Sequence, residues 1–299
     1  MTEEILGFLQ KTVVEYETQS DLKKYSAVKI GATARFVAFP DSEEKLALLI
    51  KFLRENKIEY KILGRMTNIL PKDENYEGVI IKTDRMSRVL INGNNFTVGA
   101  GDSLPRLSKL AAKASLSGLE QLSGIPGSVG GAICGNAGAY GREMSDLVSS
   151  VRVLDVKNGN ILNLPSFDMG FDYRSSVIDG SDYVIISAEL ELAPSDSRSI
   201  YQSMRTYARM RRESQPIDMP SLGSVFKRPA PDVYPWRLID GVQLRGYRIG
   251  GAKISEKHAG FIVNLGNATA NDFISLVEYT EQSVNKAYGI KLSREFKMM

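Results

Sequence analysis

The sequence predicts a mixed α+β fold that is built from two or three packed subdomains. The chain has 299 residues, and a single hydrophobic core rarely serves a chain of that length. Strand-like and helix-like segments alternate in the first third, whereas runs rich in β-branched residues dominate the middle section. Helical spacing of apolar residues returns in the last third.

In the first third, residues 35–39 read as a strand that ends at a proline. A helix is expected to follow, because Asp41 or Ser42 can cap its free amides and acidic residues favour its first turn. Residues 60–63 and 79–82 predict two more short strands.

In the middle section, residues 95–100, 150–156 and 183–192 have the length and composition of strands. Residues 104–114 have a helical period between them. The polar segment 193–197 (Ala-Pro-Ser-Asp-Ser) is the best single candidate for a domain boundary.

Two helices are predicted in the last third, at residues 200–212 and 271–287. The first should carry apolar residues on one face, namely Ile200, Met204, Tyr207 and Ala208. The opposite face carries Arg205, Arg209 and Arg212. A solvated face is the favoured interpretation of these arginines, and phosphate contact is the alternative.

Composition excludes several classes of function. The net charge of +3 fits an anionic small molecule better than a nucleic acid, which normally needs a concentrated basic face. With one cysteine (Cys134) and one histidine (His258), neither an intrachain disulfide nor a multi-histidine zinc site is expected. The start of the chain lacks a signal-peptide pattern, and no apolar run approaches the ~20 residues that span a bilayer. A cytoplasmic protein without metal is therefore expected.

Glycine is concentrated in one stretch. Ten of the 26 glycines lie between Gly99 and Gly141. Such a cluster serves either tight turns or the close approach of bare backbone amides to a phosphate. The segment 124–132 leaves room for a pyrophosphate, but it matches neither a P-loop nor a Rossmann fingerprint. Composition alone leaves both explanations open.

Several segments, in order along the chain, resemble the motifs of UDP-N-acetylenolpyruvoylglucosamine reductases. They are Tyr25-Ser-Ala-Val-Lys-Ile-Gly, residues 118–132 followed by Asn136-Ala-Gly-Ala-Tyr-Gly, Tyr173-Arg-Ser-Ser, Gly223-Ser-Val-Phe-Lys, residues 253–264, and Gly289-Ile-Lys-Leu-Ser-Arg-Glu. The resemblance implies a vanillyl-alcohol-oxidase-like (PCMH-type) FAD-binding domain of two α/β subdomains, at residues 1–85 and 86–195. A smaller α/β substrate domain would follow at residues 196–299. The chain resembles the compact form of the family, which lacks an extra substrate-covering loop.

The resemblance also implies non-covalent FAD, NADPH as co-substrate and a UDP-sugar substrate, with reduction of the enolpyruvyl double bond as the reaction. The residues expected to bind FAD are Leu63, Gly64, Arg65, Met66, Thr67, Asn68, Ile69, Gly101, Ser123, Gly124, Ile125, Pro126, Gly127, Val129, Gly130, Gly131, Asn136, Ala137, Gly138 and Ala139. One departure from the family pattern concerns Met66, which stands where the family usually has glycine.

Three catalytic residues follow from the matched motifs. Arg174 would bind the substrate carboxylate, Ser224 would protonate the carbon next to it, and Glu295 would stabilise the enolate. Tyr173, Lys227 and Asn264 are expected to contact the substrate, with Lys227 assisting Ser224. Singly, each residue has an ordinary structural explanation; together and in order, the motifs favour these roles.

Two alternatives stay open at this stage. The first is another flavin enzyme of the same fold, such as an oxidase of a small alcohol that tethers FAD through Cys134. The second is a non-catalytic nucleotide-sugar binding protein, which the exchange at Met66 keeps possible. A monomer that binds neither nucleic acid nor membrane is expected in each case.

Overall fold

The computed structural model describes residues 2–299. Its helices are α1 (Thr2–Lys11), α2 (Glu43–Glu55), α3 (Leu104–Lys113), α4 (Val129–Cys134), α5 (Ser197–Ser214), α6 (Pro235–Gly241) and α7 (Ala270–Tyr288). Its strands are β1 (Glu15–Asp21), β2 (Thr33–Phe39), β3 (Tyr60–Leu63), β4 (Ile69–Leu70), β5 (Tyr76–Lys82), β6 (Val89–Asn92), β7 (Asn95–Gly99), β8 (Leu116–Ser117), β9 (Gly138–Ala139), β10 (Arg142–Glu143), β11 (Val148–Asp155), β12 (Ile161–Pro165), β13 (Tyr183–Glu191), β14 (Ala193–Pro194), β15 (Ser221–Ser224), β16 (Arg248–Ile249), β17 (Ala252–Ile254), β18 (Phe261–Asn264) and β19 (Lys297–Met298). Short 3₁₀ turns lie at Leu22–Lys24, Thr83–Arg85, Met144–Asp146 and Ser166–Met169.

The chain divides into two compact units. The first unit comprises residues up to Gln19, Arg35–Arg65 and Glu77–Arg209. The second unit comprises Ser20–Ala34, Met66–Tyr76 and Met210–Met299. The boundaries predicted at residues 85 and 195 stay a prediction.

One sheet has the strand order β1-β2-β5-β3, with β3 parallel to β5. Helix α2 belongs to the same apolar cluster as this sheet, in which Leu46 and Leu49 lie with Phe36 and Ile81. Helix α2 begins after Ser42, whose hydroxyl accepts a hydrogen bond from the amide of residue 45. The strands and the helix start predicted for this part of the chain are confirmed.

A second, antiparallel sheet has the order β12-β11-β13-β7-β6. Its apolar side chains form one cluster with α3 and α4, in which Phe96 and Val151 lie with Leu107 and Val129. The predicted strands and the helix at residues 104–114 are confirmed. The polar segment after β13 is not a free linker, because β14 pairs with β8 and α5 begins at Ser197.

In the second unit, an antiparallel sheet has the order β15-β18-β17-β16. Helix α7 packs on it through Phe273 and Leu276, which share a cluster with Ile254 and Ile262. A capping box at Thr269 starts α7 and a left-handed glycine ends it, so the predicted helix at 271–287 is confirmed.

Helix α5 is longer than predicted and mostly solvent-exposed, with Met204 and Tyr207 half-buried on the predicted apolar face. Ile200 is its buried residue, whereas Ala208 is exposed, so the predicted apolar face is wrong at that position. The arginines at positions 205, 209 and 212 are exposed, which agrees with a solvated face. The prediction fails at Ala208 because no neighbouring segment covers that position of the helix.

Candidate active site

The predicted cofactor loop begins where β3 ends. Leu63 is buried, Gly64 is half-buried and Arg65 is exposed. A Cβ atom on Gly64 would lie 2.3 Å from the hydroxyl oxygen of Ser128, so a larger residue would force one of the two segments to move. The predicted cofactor loop at Gly64 and the glycine-rich stretch at Ser128 therefore lie directly against each other within the first unit.

A buried lysine holds this loop. The ammonium of Lys82 donates a hydrogen bond to the carbonyl of Gly64, and its side chain is only 3% exposed. Burial lowers the pKa of Lys82, which the carboxylate of Asp84 opposes from 2.9 Å away. The hydrogen bond from Lys82 fixes the geometry of the turn at Gly64. Removing either Lys82 or Asp84 would leave the other charge unpaired in a partly desolvated site.

Replacing Lys82 with methionine is expected to destabilise the first unit by about 3 kcal/mol and to weaken FAD binding further, because the turn at Gly64 loses its donor. Thermal unfolding of the apoprotein and of the FAD-loaded protein separates the two effects. Lys61→Met is the matched control, since Lys61 is exposed on the neighbouring strand β3. An equal loss in apo and loaded protein would show that Lys82 does not act on the cofactor loop.

Three glycines pack closely against neighbouring segments, two of them against the backbone itself. A Cβ atom would lie 2.3 Å from the carbonyl oxygen of Met86 at Gly99 and 2.0 Å from that of Thr83 at Gly101. A Cβ atom at Gly130 would lie 3.0 Å from the Cβ of Ala100. At Gly99 and Gly101, close approach of main chain to main chain accounts for glycine without a ligand. Cofactor contact by Gly101 and Gly130 stays a prediction.

Arg174 lies at the tip of a tight turn in the first unit. Asp172 and Ser175 close the turn by exchanging backbone hydrogen bonds of 3.2 and 3.1 Å. Arg174 has a φ of +55°, a left-handed conformation that a non-glycine residue adopts only where its surroundings hold it. Its guanidinium donates to the carbonyl of Gly138 at 3.3 Å and lies 5.1 Å from the ring centre of Tyr173.

The second unit brings two predicted catalytic residues onto neighbouring segments. Residues 224–227 run alongside residues 293–295, because the amide of Glu295 donates to the carbonyl of Val225 and the amide of Lys227 donates to that of Ser293, both at 2.8 Å. Ser224 is exposed, whereas Lys227 and Glu295 are half-buried. The structure therefore places the backbones of Ser224 and Glu295 on adjacent segments, although 71 positions of the sequence separate them.

Residues 66–69 also belong to the second unit. Met66 is buried and has a φ of +51°, which explains why glycine suits this position. The carboxamide of Asn68 donates to the carbonyl of Glu295 at 3.0 Å, and β4 pairs in parallel with β19 just beyond it. These bonds fix the segment around Glu295 beside residues 68–70.

Asn264 uses its carboxamide inside the protein. The NH₂ group donates to the carbonyls of Val28 and Lys29 at 2.8 and 3.3 Å. The oxygen accepts from the amides of Gly266 and Ala268 at 2.7 and 3.0 Å. Four hydrogen bonds to backbone make this buried residue a structural link within the second unit. Substrate contact by its side chain stays a prediction that these bonds do not support.

His258 packs between aromatic rings. Its Nδ1 accepts a hydrogen bond from the amide of Gly260 at 3.1 Å, and its ring lies 4.9 Å from that of Phe261 and 6.0 Å from that of Trp236. Burial lowers the pKa of His258, and the Arg245 guanidinium lowers it further. The neutral imidazole is therefore the form that folding favours.

Because the unfolded chain binds this proton more tightly, stability contributed by neutral His258 is present above pH 6.5 and is lost as the pH falls below it. The free energy of unfolding should therefore fall on acidification more steeply in the wild type than in His258→Gln. The difference is bounded by about 1.4 kcal/mol per pH unit, the slope for one proton. Urea unfolding at a series of pH values measures it, and equal slopes in the two proteins would contradict this assignment.

Three residues with clear functions in the local structure were not singled out from the sequence: Lys82, Glu143 and Ser176. A signal existed for Lys82, since a lysine closes the apolar run Val79-Ile-Ile-Lys at the end of a strand. Ser176 lies within the matched motif Tyr173-Arg-Ser-Ser, but its role depends on a partner 42 residues away. The carboxylate of Glu143 accepts a hydrogen bond from the carboxamide of Asn136 at 2.9 Å. The sequence gives no signal for this bond, which only the fold shows.

Among residues 2–299, no cluster of three or more histidine, cysteine, aspartate or glutamate side chains could hold a metal ion. No helix within the same residues is long and apolar enough to cross a membrane. Cys134 is half-buried and packs against the core of the first unit.

Comparison with known proteins gives the family. The model of an FAD binding domain matches residues 34–165, and that of the UDP-N-acetylenolpyruvoylglucosamine reductase C-terminal domain matches residues 215–299. The UDP-N-acetylenolpyruvoylglucosamine reductase of Caldanaerobacter subterraneus subsp. tengcongensis is 42% identical over 278 residues, which cover 93% of this chain and 91% of the relative. The chain belongs to the UDP-N-acetylenolpyruvoylglucosamine reductase family.

Other relatives agree with this family. The reductase of the same name from Streptococcus pneumoniae (strain 70585) is 38% identical and covers 96% of this chain and 94% of its own. The crystal structure of the Thermus caldophilus reductase aligns with a TM-score of 0.80 at 33% identity, over 95% of this chain and 98% of that one. A glucose dehydrogenase, Phl p 4.0202, aligns at 16% identity with a TM-score of 0.51 over 64% of this chain and 44% of its own, a likeness in fold alone. The expected α+β, vanillyl-alcohol-oxidase-like fold is confirmed.

The first unit fits the FAD that this domain family binds. Residues 123–139 carry no acidic side chain, so nothing in the segment repels a pyrophosphate. Ser128 caps α4 by accepting the amide of Gly131 at 3.3 Å, and Gly131 itself is exposed in the first turn. The small residues at that turn leave room for an anionic group. The chain is a flavin-dependent oxidoreductase.

Proposed function

We propose that the chain uses NADPH to reduce the enolpyruvyl double bond of UDP-N-acetylenolpyruvoylglucosamine, which yields UDP-N-acetylmuramate for peptidoglycan synthesis. Family membership supports the substrate and the reaction. The observation that carries the residue roles is the pairing of segment 224–227 with segment 293–295, which places Ser224 and Glu295 on adjacent backbones. Residues 123–139 would help to hold FAD, and the chemistry that FAD would supply there is hydride transfer between NADPH and the terminal carbon of the double bond.

Hydride addition at the terminal carbon leaves negative charge spread over the substrate carboxylate. Arg174 binds that carboxylate, because a guanidinium stays charged and its planar fork can donate to two oxygens at once. Arg174 lies at the tip of a turn that two backbone hydrogen bonds close, and this turn holds its backbone in one left-handed conformation. The guanidinium therefore starts from a fixed position. Tyr173 lies against the same guanidinium and limits its rotation.

The proton and the further charge stabilisation are assigned to Ser224, Lys227 and Glu295. Ser224 donates a proton to the carbon next to the carboxylate, and Lys227, three residues further along, assists a hydroxyl that is by itself a weak acid. Glu295 shares a proton with the developing enolate and so lowers its negative charge.

The proposed setting of the enzyme is the cytoplasm, as a monomer that recognises a small anionic UDP-sugar and no nucleic acid. An anionic substrate suits a chain whose net charge is +3. The sugar substrate and NADPH would use one cleft in turn, because no motif in the sequence indicates a second dinucleotide site.

Oxidation of NADPH by the purified, FAD-loaded protein tests the proposal, with and without UDP-N-acetylenolpyruvoylglucosamine. Oxidation that depends on the sugar substrate supports it. Bound flavin without substrate dependence would favour an oxidase of the same fold, and flavin that resists release by acid denaturation would indicate a tether at Cys134. Failure to retain flavin would favour the non-catalytic alternative.

A further inference from the structure

The loop that carries Arg174 is hydrogen-bonded at two points to residues 134 and 136 of the glycine-rich stretch. The carboxamide of Asn136 donates to the carbonyl of Asp172 at 3.1 Å, two residues before Arg174. The hydroxyl of Ser176 donates to the carbonyl of Cys134 at 2.8 Å, two residues after it. These bonds bracket the one residue of the turn that adopts a left-handed conformation.

Asn136 is itself rigidly held. It is 2% exposed, and its second N–H donates to the carboxylate of Glu143 at 2.9 Å. Its oxygen accepts the amide of Ser145 at 2.9 Å. Both N–H groups of the carboxamide are thus committed within the protein, and the side chain is a junction of three chain segments rather than a free donor toward the cofactor.

We propose that Asn136 is a positioning residue for Arg174, which it orients through the carbonyl of Asp172 with Ser176 as its counterpart on the other side of the turn. The inference rests on the proposed function of Arg174 as the ligand of the substrate carboxylate. Without the two bonds, the turn relaxes out of its left-handed geometry and the guanidinium moves relative to Gly138, whose carbonyl it contacts.

Asn136→Asp keeps the volume and the acceptor for Ser145, but it replaces both donors with a carboxylate that faces the carboxylate of Glu143, so thermal unfolding is measured alongside. Reoxidation of the reduced enzyme by UDP-N-acetylenolpyruvoylglucosamine should slow by about 10- to 100-fold, since a small misplacement of a substrate-binding group has that cost. The KM for the sugar substrate should rise, and flavin content is measured in parallel so that rates are compared per bound FAD. Ser176→Ala, which removes one bond from a loop outside the core strands, should show a weaker loss of the same kind.

A double-mutant cycle with Arg174→Ala separates positioning from general damage to the fold. If Asn136 acts through Arg174, then Asn136→Asp produces no further slowing of reoxidation in the Arg174→Ala background. Asn163→Asp, at an exposed position on β12, is the matched control and should behave like the wild type.

Two results would overturn the proposal: wild-type reoxidation in both Asn136→Asp and Ser176→Ala, or an undiminished effect of Asn136→Asp when Arg174 is absent. A different result, wild-type turnover in Arg174→Ala itself, would remove the proposed role of Arg174 and is therefore distinguishable. Should Asn136→Asp fail to fold, Ser176→Ala carries the same cycle.

Discussion

Ser224→Ala is expected to leave the reduction of bound flavin by NADPH at the wild-type rate and to slow substrate-dependent reoxidation by about 10²- to 10⁴-fold. The hydroxyl supplies the proton that completes saturation of the double bond, whereas hydride transfer from NADPH does not need it. Stopped-flow absorbance of the flavin measures both half-reactions separately on the same protein.

The expected difference between the two half-reactions distinguishes a catalytic role of Ser224 from a structural one. Loss of a turn residue that only supports the fold would reduce both half-reactions and the retention of FAD together. Ser293→Ala is the matched control, because Ser293 is exposed on the segment that pairs with residues 224–227. Normal reoxidation in Ser224→Ala would remove Ser224 from the proposed role.

Elements with a buried face could be predicted from the sequence. Helices α2, α3 and α7 combine an apolar period with a recognisable cap, and the structure buries the faces that the period indicates. Helix α5 shows the limit, since only Ile200 of its apolar residues is buried. A period predicts the buried face only where packing makes use of it.

Residue type alone could not show which residues of the candidate site contact a ligand and which stabilise the surrounding protein. Asn264 bonds a carbonyl 236 positions away, and Asn136 bonds one 36 positions away. Both lie in motifs that the family resemblance singles out, yet each carboxamide is committed to backbone or to a neighbouring carboxylate. A motif records that a residue type is needed, and only the fold shows whether a ligand or the chain itself needs it.

The glycine-rich stretch shows the same distinction at the level of the backbone. Gly101 is required because the carbonyl of Thr83 lies where its Cβ would be. Gly131 meets no such obstacle from main chain and is exposed at the first turn of α4. The sequence predicted a reason for the cluster, but the division between packing and ligand contact depends on which segments the fold brings together.

Glu295→Gln is expected to lower turnover by about 10²-fold or more while the protein still folds and retains FAD. Glutamine keeps the volume of the side chain and can donate a hydrogen bond through its NH₂ group, yet it cannot share or transfer a proton. The backbone bonds that fix position 295, from its amide to Val225 and from Asn68 to its carbonyl, do not involve the carboxyl group. Steady-state turnover, with flavin content and thermal unfolding measured in parallel, provides the test.

The substitution also distinguishes two ways in which a carboxyl group can stabilise an enolate. If hydrogen-bond donation were sufficient, glutamine would support nearly normal rates, and the proposed role of Glu295 would have to be abandoned. If proton sharing is required, Glu295→Gln slows reoxidation and leaves flavin reduction unchanged. Glu278→Gln is the control, at an exposed position whose carboxylate lies 3.6 Å from the Arg294 guanidinium. It removes a negative charge beside Arg294 and leaves the side chain of Glu295 unchanged.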